Sequence, residues 1–261
     1  MIISVINHTN GQISDEQLEV AIRAINRQIR EDFEPYWSLG ATLRLEGRSQ
    51  ASPGKQDLAD MRGDAIIYMW NKTDVKDALG YHDQNNRGIP YGFIFTELSA
   101  KLGENWTVTL SHEALELIGD PEANLLVQGP HPEKPKVTVF HWYEMCDAVQ
   151  AETYKIDNVD VSNFVLPLYF TGGDELGGRN DFLSRPHDGQ TLKSFSINPG
   201  GYLGFFNPQT GKSETFAMKN DRQAQERLKY KSKTDTARIF RHQFLTSSRE
   251  KPSDRIAATK K

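Results

Sequence analysis

The chain has 261 residues, 37% of them hydrophobic and 25% charged, with a net charge of −4. It is long enough to bury a sizeable core, and its composition is that of an ordinary globular protein. The single cysteine, Cys146, excludes an intramolecular disulfide framework, and no stretch approaches the roughly 18 apolar residues of a membrane span.

The first residues, Met1 to Asn7, lack the basic and extended apolar regions of a signal peptide. The expectation is a soluble, cytoplasmic protein with no membrane partner. Charge is unevenly spread. From Lys219 onward there are 13 Lys+Arg against 5 Asp+Glu, a balance of +8, which leaves −12 for the rest. The basic end lacks interleaved aromatics and any nucleic-acid motif, so a solvated or self-complementary charge pattern is preferred to a nucleic-acid contact.

Ile2 to Ile6 is an apolar run suited to a buried strand. After the Asn10-Gly11 turn, Ser14 with Gln17 forms a capping box. Leu18, Ala21, Ile22, Ile25 and Ile29 then recur at helical spacing over about four turns, and Pro35 is expected to stop that helix. Thr42 to Leu45 reads as a strand, Gly47 to Lys55 as a polar loop, and Ala65 to Trp70 as another strand. Asp83 to Gly88 reads as a loop, and Gly92 to Phe95 as a strand that Pro90 assigns to a sheet edge.

A helix is expected from about Trp106 to Ile118, ended by Gly119 and Pro121. Val137 to Trp142 reads as a strand, and Tyr154 to Asp157 with Val159 to Val165 as a hairpin. A charged helix begins near Lys219 and passes into a polar tail, Ser247 to Lys261, expected to be disordered. The division implied is 1–150, a β-rich segment over 151–218 packed on it, and a charged end over 219–261.

His112 and Glu116 lie four residues apart on the expected helix, so their side chains share one face. An imidazole nitrogen and a carboxylate oxygen so placed can reach one ion at roughly 2.0–2.2 Å. Glu113 points to the neighbouring flank, the place of the general base in His-Glu-x-x-His enzymes. A carboxylate in the second ligand place reduces the positive charge of the site and leaves manganese or calcium open beside zinc. The bland alternative is a solvated face with an incidental histidine. Against it stand the apolar neighbours Val108, Leu110, Leu115, Leu117 and Ile118, which would bury the helix, and the break at Gly119.

The pattern His112-Glu113-x-x-Glu116-x-x-Gly119-x-x-Glu122 resembles the metzincin metallopeptidase signature, with glutamates in the second and third ligand places. Met145 is similar to the methionine that lies beneath the metal in that group. The order of elements before the motif also resembles the metzincin upper half: strand, long helix, mixed strands with an edge strand, active-site helix. The resemblance implies an α+β, zincin-like fold with a mixed sheet, a long N-terminal helix and an active-site helix, followed by the β-rich segment. It also implies a zinc cofactor and a peptide or protein substrate.

A second resemblance is to bacterial and phage proteins sharing Ser-His-Glu-x-x-Glu, a following Asp-Pro and a Glu-x-Cys-Asp stretch. These stand here at Ser111 to Glu116, Asp120-Pro121 and Glu144 to Asp147, with Asn163 to Pro167 also matching. It implies a shared fold rather than a reaction.

The third metal ligand stays open among Asp120, Glu122, Glu144 and Asp147. The metzincin register favours Glu122, the Asp-Pro resemblance favours Asp120, and Glu144 suits a zincin whose third carboxylate comes from a later segment. Tyr143 is a candidate oxyanion stabiliser. His82 reads as a loop histidine near a cleft edge or a substrate contact, His141 as a satisfied strand residue, and Cys146 as a small buried hydrophobe. The functional expectation is metal-dependent peptide hydrolysis. Its rival is a non-enzymatic zincin-shaped scaffold or phage-related assembly component with a structural or vestigial metal site.

Overall fold

The computed structural model describes residues 1–46, 63–71, 80–84, 88–172 and 179–228. The expected loop over 47–55 and the tail from Ser247 lie outside the described residues.

The fold is α+β. A five-stranded sheet joins β1 (Ile2–His8), β2 (Thr42–Leu45), β3 (Ala65–Trp70), β4 (Gly80–Gln84) and β5 (Pro90–Phe95) in the order β2-β1-β3-β5-β4. Every neighbouring pair is parallel except β4 with β5, which is antiparallel. Two expectations change here. The stretch read as a loop from Asp83 supplies the end of β4, and β5 is internal because β4 covers its outer side. Pro90 is accommodated as the first residue of its strand, paired with Gln84 at the end of the ladder.

Alternation along the strands covers both faces of the sheet. Ile3, Val5, Ala65, Ile67, Met69 and Ile94 point into the main core. Ile6, Ile66, Tyr91, Phe93 and Phe95 point to a second, aromatic layer, where the Tyr68 and Trp70 rings each lie 5.1 Å from Phe93.

Helix α1 (Asp15–Gln28) begins with the expected capping box. The Gln17 backbone N–H donates to Ser14 Oγ at 3.2 Å, and the Ser14 N–H donates to Gln17 Oε1 at 2.9 Å. Its apolar stripe, Leu18, Ala21, Ile22 and Ile25, is buried, and each fully buried Leu or Ile contributes about 1.5–3 kcal/mol. Pro35 does not stop the helical path as expected. The chain widens into a π-helical turn over Ile29–Phe33 and continues as α2 (Glu34–Trp37), with Pro35 in its first turn, where a missing N–H costs least. Ser38, in the left-handed region at φ 53°, ends it.

After α3 (Thr96–Lys101) comes α4 (Trp106–Gly119), capped by Asn105, whose side chain accepts from the Thr107 N–H. Every residue from Thr107 to Gly119 is buried, because α4 packs against β4, β5 and the later strand β9 (Val159–Ser162). Three hydrogen bonds pin it. Ser111 Oγ donates to Gln28 Oε1 at 2.6 Å, Gln28 Nε2 donates to the Ser162 carbonyl at 2.7 Å, and the Ser162 N–H donates to Ser111 Oγ at 3.1 Å. Each is worth about 0.5–1.5 kcal/mol net, and together they fix the rotation of α4 about its axis.

A second sheet runs β11-β10-β7-β6, all antiparallel, from β6 (Leu126–His131), β7 (Lys134–Trp142), β10 (Leu203–Asn207) and β11 (Lys212–Phe216). The expected hairpin is present as β8 (Thr153–Ile156) and β9, turned at Asp157 and Asn158, both at positive φ. Residues on both sides of 150 share one core, in which Leu18, Ile25 and Leu115 pack with Val161, Phe164 and Leu203. Residues 222–228 form the described start of the charged helix, and Arg227, buried there, pairs with Glu104. No helix among the described residues is long and apolar enough to cross a membrane.

Gly201 sits where a side chain would meet backbone: a Cβ there would fall 2.2 Å from the Ala148 carbonyl oxygen. Backbone cannot rotate aside as a side-chain tip can. Gly201→Ala is therefore expected to cost about 1–3 kcal/mol, read as an earlier urea midpoint with unchanged slope. A wild-type midpoint would show that the approach is looser than described.

Candidate metal centre

The helical spacing of His112 and Glu116 brings His112 Nε2 to 3.3 Å from Glu116 Oε2. A second carboxylate approaches the same nitrogen: Asp147 Oδ1 lies 3.2 Å away. Asp147 opens a 3-10 turn (Asp147–Val149) just after β7, and the pairing of β10 with β7 carries Tyr202 alongside it. There the Tyr202 hydroxyl donates to Asp147 Oδ1 at 2.6 Å and the Tyr202 N–H donates to the Asp147 carbonyl. His112, Glu116 and Asp147 are each less than 5% exposed.

Burial disfavours a charged imidazole, but the Glu116 and Asp147 carboxylates outweigh it and hold the His112 pKa well above its ordinary value.

Cys146 completes the first group. Its backbone N–H donates to Glu116 Oε1 at 3.2 Å, and its thiol lies 3.8 Å from the His112 carbonyl. Donor atoms of His112, Glu116 and Cys146 all fall within 4.8 Å of one another. Burial, reinforced by the charge of Glu116, pushes the Cys146 thiol pKa well above its ordinary value. The residue is buried as expected, yet it also offers sulfur to the centre.

A second group meets the first at Glu116. His82, buried on β4, places Nδ1 3.5 Å from Glu113 Oε2 and 4.0 Å from Glu116 Oε2, and these three residues also have donor atoms within 4.8 Å of one another. Across the ladder from His82 stands Gly92, which carries no side chain.

The other sequence candidates are placed differently. Asp120, the residue after α4, accepts from the backbone N–H groups of Asn124 at 3.1 Å and Leu125 at 2.9 Å. Its carboxylate closes the turn that follows the helix. Glu122 is exposed and accepts from the Asn124 side chain. Glu144 is buried close enough to Tyr202 for its charge, after burial and Asp147, to help raise the Tyr202 pKa. None of these three belongs to either donor group.

Tyr143 packs against Trp37 and Phe170, with ring centroids 5.7 and 4.6 Å apart, and burial followed by the charge of Asp120 raises its phenol. His141 lies on β7 with Nε2 2.9 Å from the Pro130 carbonyl. Met145 is fully buried, and a Cβ on Gly119 would fall 1.8 Å from its Cε. The methionine thus fits the gap left by glycine at the end of α4.

No protein-family model, curated protein or solved structure matches this chain. The reading of the site therefore rests on its own chemistry. Buried His, Glu and Cys groups here can hold a metal ion.

Sequence reasoning left Asp147 open as a ligand and assigned no site role to Cys146 or Tyr202. The available signal was the run Glu144-Met145-Cys146-Asp147, three donor-bearing residues in four. His82, expected as a loop histidine near a cleft edge or a substrate contact, stands instead on strand β4, which Gly80 to Gln84 does not announce because it carries no hydrophobic alternation.

Proposed function

We propose that this chain is a zinc-dependent hydrolase of peptide bonds, with His112, Glu116 and Cys146 as metal ligands, Asp147 as a further carboxylate beside His112 Nε2, and Glu113 as general base. The observation that carries the reading is the spacing about His112 Nε2: 3.3 Å to Glu116 and 3.2 Å to Asp147. Corners of a tetrahedron whose centre lies roughly 2.0–2.2 Å from each ligand are about 3.4 Å apart. The separations are thus those of atoms able to share one ion. The mixture of imidazole, carboxylate and thiol favours zinc over calcium, which prefers oxygen alone.

Bound zinc supplies a Lewis acid that polarises a carbonyl and acidifies water. The residues of the chain do the rest. Glu113, one residue from the first ligand, accepts the proton of the attacking water and returns it to the departing amine. His82 faces that carboxylate at 3.5 Å and limits its freedom. The Tyr202–Asp147 hydrogen bond fixes the carboxylate that stands 3.2 Å from His112 Nε2. The choice of peptide substrates draws on the order β1, α1, mixed sheet with antiparallel edge strand β4, then α4. That order resembles the metzincin upper half, and substrate choice from fold is an analogy.

A second reading is supported by burial. His112, Glu113 and Glu116 are 4%, 7% and 1% exposed, and structural zinc sites are closed whereas catalytic ones keep a position open. On that reading the chain is a scaffold whose metal stabilises it.

Both readings require metal, so elemental analysis comes first. Wild type purified in limiting metal is expected to retain about one zinc ion, and His112→Ala little or none. Equal, near-zero content in the two proteins would remove the metal centre altogether.

A further inference from the structure

The centre offers more ligand positions than one ion uses. His112, Glu116 and Cys146 form one group, and His82, Glu113 and Glu116 form another. Glu116 alone belongs to both. Its Oε2 lies 3.3 Å from His112 Nε2 and 4.0 Å from His82 Nδ1, on imidazoles that come from α4 and from β4. A carboxylate shared between two imidazole-bearing groups is the arrangement that bridges paired divalent ions, which sit roughly 3.5–4 Å apart in two-metal sites.

Charge points the same way. Glu113, Glu116, Glu144 and Asp147 are all buried in this region, where an ionised carboxylate is costly unless compensated. A cation bound among these carboxylates would offset part of that cost.

We propose that the centre takes two divalent cations, the second held by His82 and Glu113 and sharing the Glu116 carboxylate with the first. This rests on the metal-centre reading and extends it. The second ion binds more weakly, because it is repelled by its neighbour and has to share a ligand. It also has a consequence for chemistry. Glu113 cannot ligate a cation and accept a proton at once, so the one-ion form is the hydrolytic one and the two-ion form is silent.

The test is zinc titration of the full chain by calorimetry, with zinc counted by elemental analysis after equilibrium dialysis at saturating zinc. Wild type is expected to bind two zinc ions in resolved steps. His82→Ala and His82→Gln should each bind one, with the tighter step preserved. The glutamine variant keeps a polar side chain of similar bulk, so it reports on ligation even if alanine disturbs β4. A single zinc ion in wild type and in both variants would overturn the inference and leave the one-ion centre standing. Two ions in the His82 variants would also overturn it, by placing the second ion elsewhere. No zinc in wild type would remove the metal-centre reading itself, and this inference with it.

Discussion

Glu113→Gln is expected to slow cleavage of any protein substrate by about 10²–10⁴-fold while leaving the retained zinc at the wild-type level. The residue sits on α4 between the two ligands His112 and Glu116, and its carboxylate lies 3.5 Å from His82 Nδ1. Glutamine preserves the volume and much of the hydrogen bonding there but cannot accept a proton. Loss of rate with metal and melting temperature intact therefore assigns the carboxylate to proton transfer. Glu116→Gln should behave otherwise, shedding metal first and losing activity as a result. The measurement is a pair of assays, zinc per chain and initial cleavage rate. Equal rates in wild type and in metal-loaded Glu113→Gln would assign the hydrolysis to other residues. If wild type binds zinc but cleaves nothing, the closed structural reading stands.

Zinc at about 1,000 times its dissociation constant is expected to stabilise the fold by about 4 kcal/mol, since only the folded chain assembles the site. His112, Glu116 and Cys146 come from two segments some thirty residues apart, and His82 from a third, so the unfolded chain offers no comparable arrangement. For a chain of this size each kcal/mol moves the melting temperature by roughly 2–4 °C, giving a rise on the order of 10 °C. A chelator should return the melting curve to its starting point. A melting temperature indifferent to zinc far above any plausible dissociation constant would mark the centre as vestigial. His112→Ala supplies the control, because it should show little of the rise.

The two tests divide the alternatives cleanly. Stabilisation by zinc is common to enzyme and scaffold, whereas a rate that depends on Glu113 belongs to the enzyme alone. The burial of Glu113 makes the second test the more severe, since a carboxylate at 7% exposure can act on a substrate only if its surroundings open to admit one.

What the sequence by itself determined is local. The capping box at Ser14, the spans of β2 and β3, the hairpin turned at Asp157 and Asn158, and the helix α4 from about Trp106 to its break at Gly119 all follow from period and turn chemistry. So does the meeting of His112 with Glu116, because four residues is about one helical turn. Local rules erred where tertiary packing overrode them, at Pro35, which a widened turn accommodates, and at Pro90, which heads an internal strand.

Only the tertiary structure decided which acid reaches His112. Asp120 lies nearest along the chain, but its carboxylate is taken up by the backbone N–H groups of the turn after α4. Asp147 arrives from the end of β7 and is held by Tyr202, 55 residues further on. His82 arrives on an antiparallel edge strand that its own sequence does not announce. Spacing along a chain carries distance only while the backbone keeps one regular geometry. Across sheet crossovers it carries none, and there the order β2-β1-β3-β5-β4 and the pairing of β10 with β7 determine which donors meet.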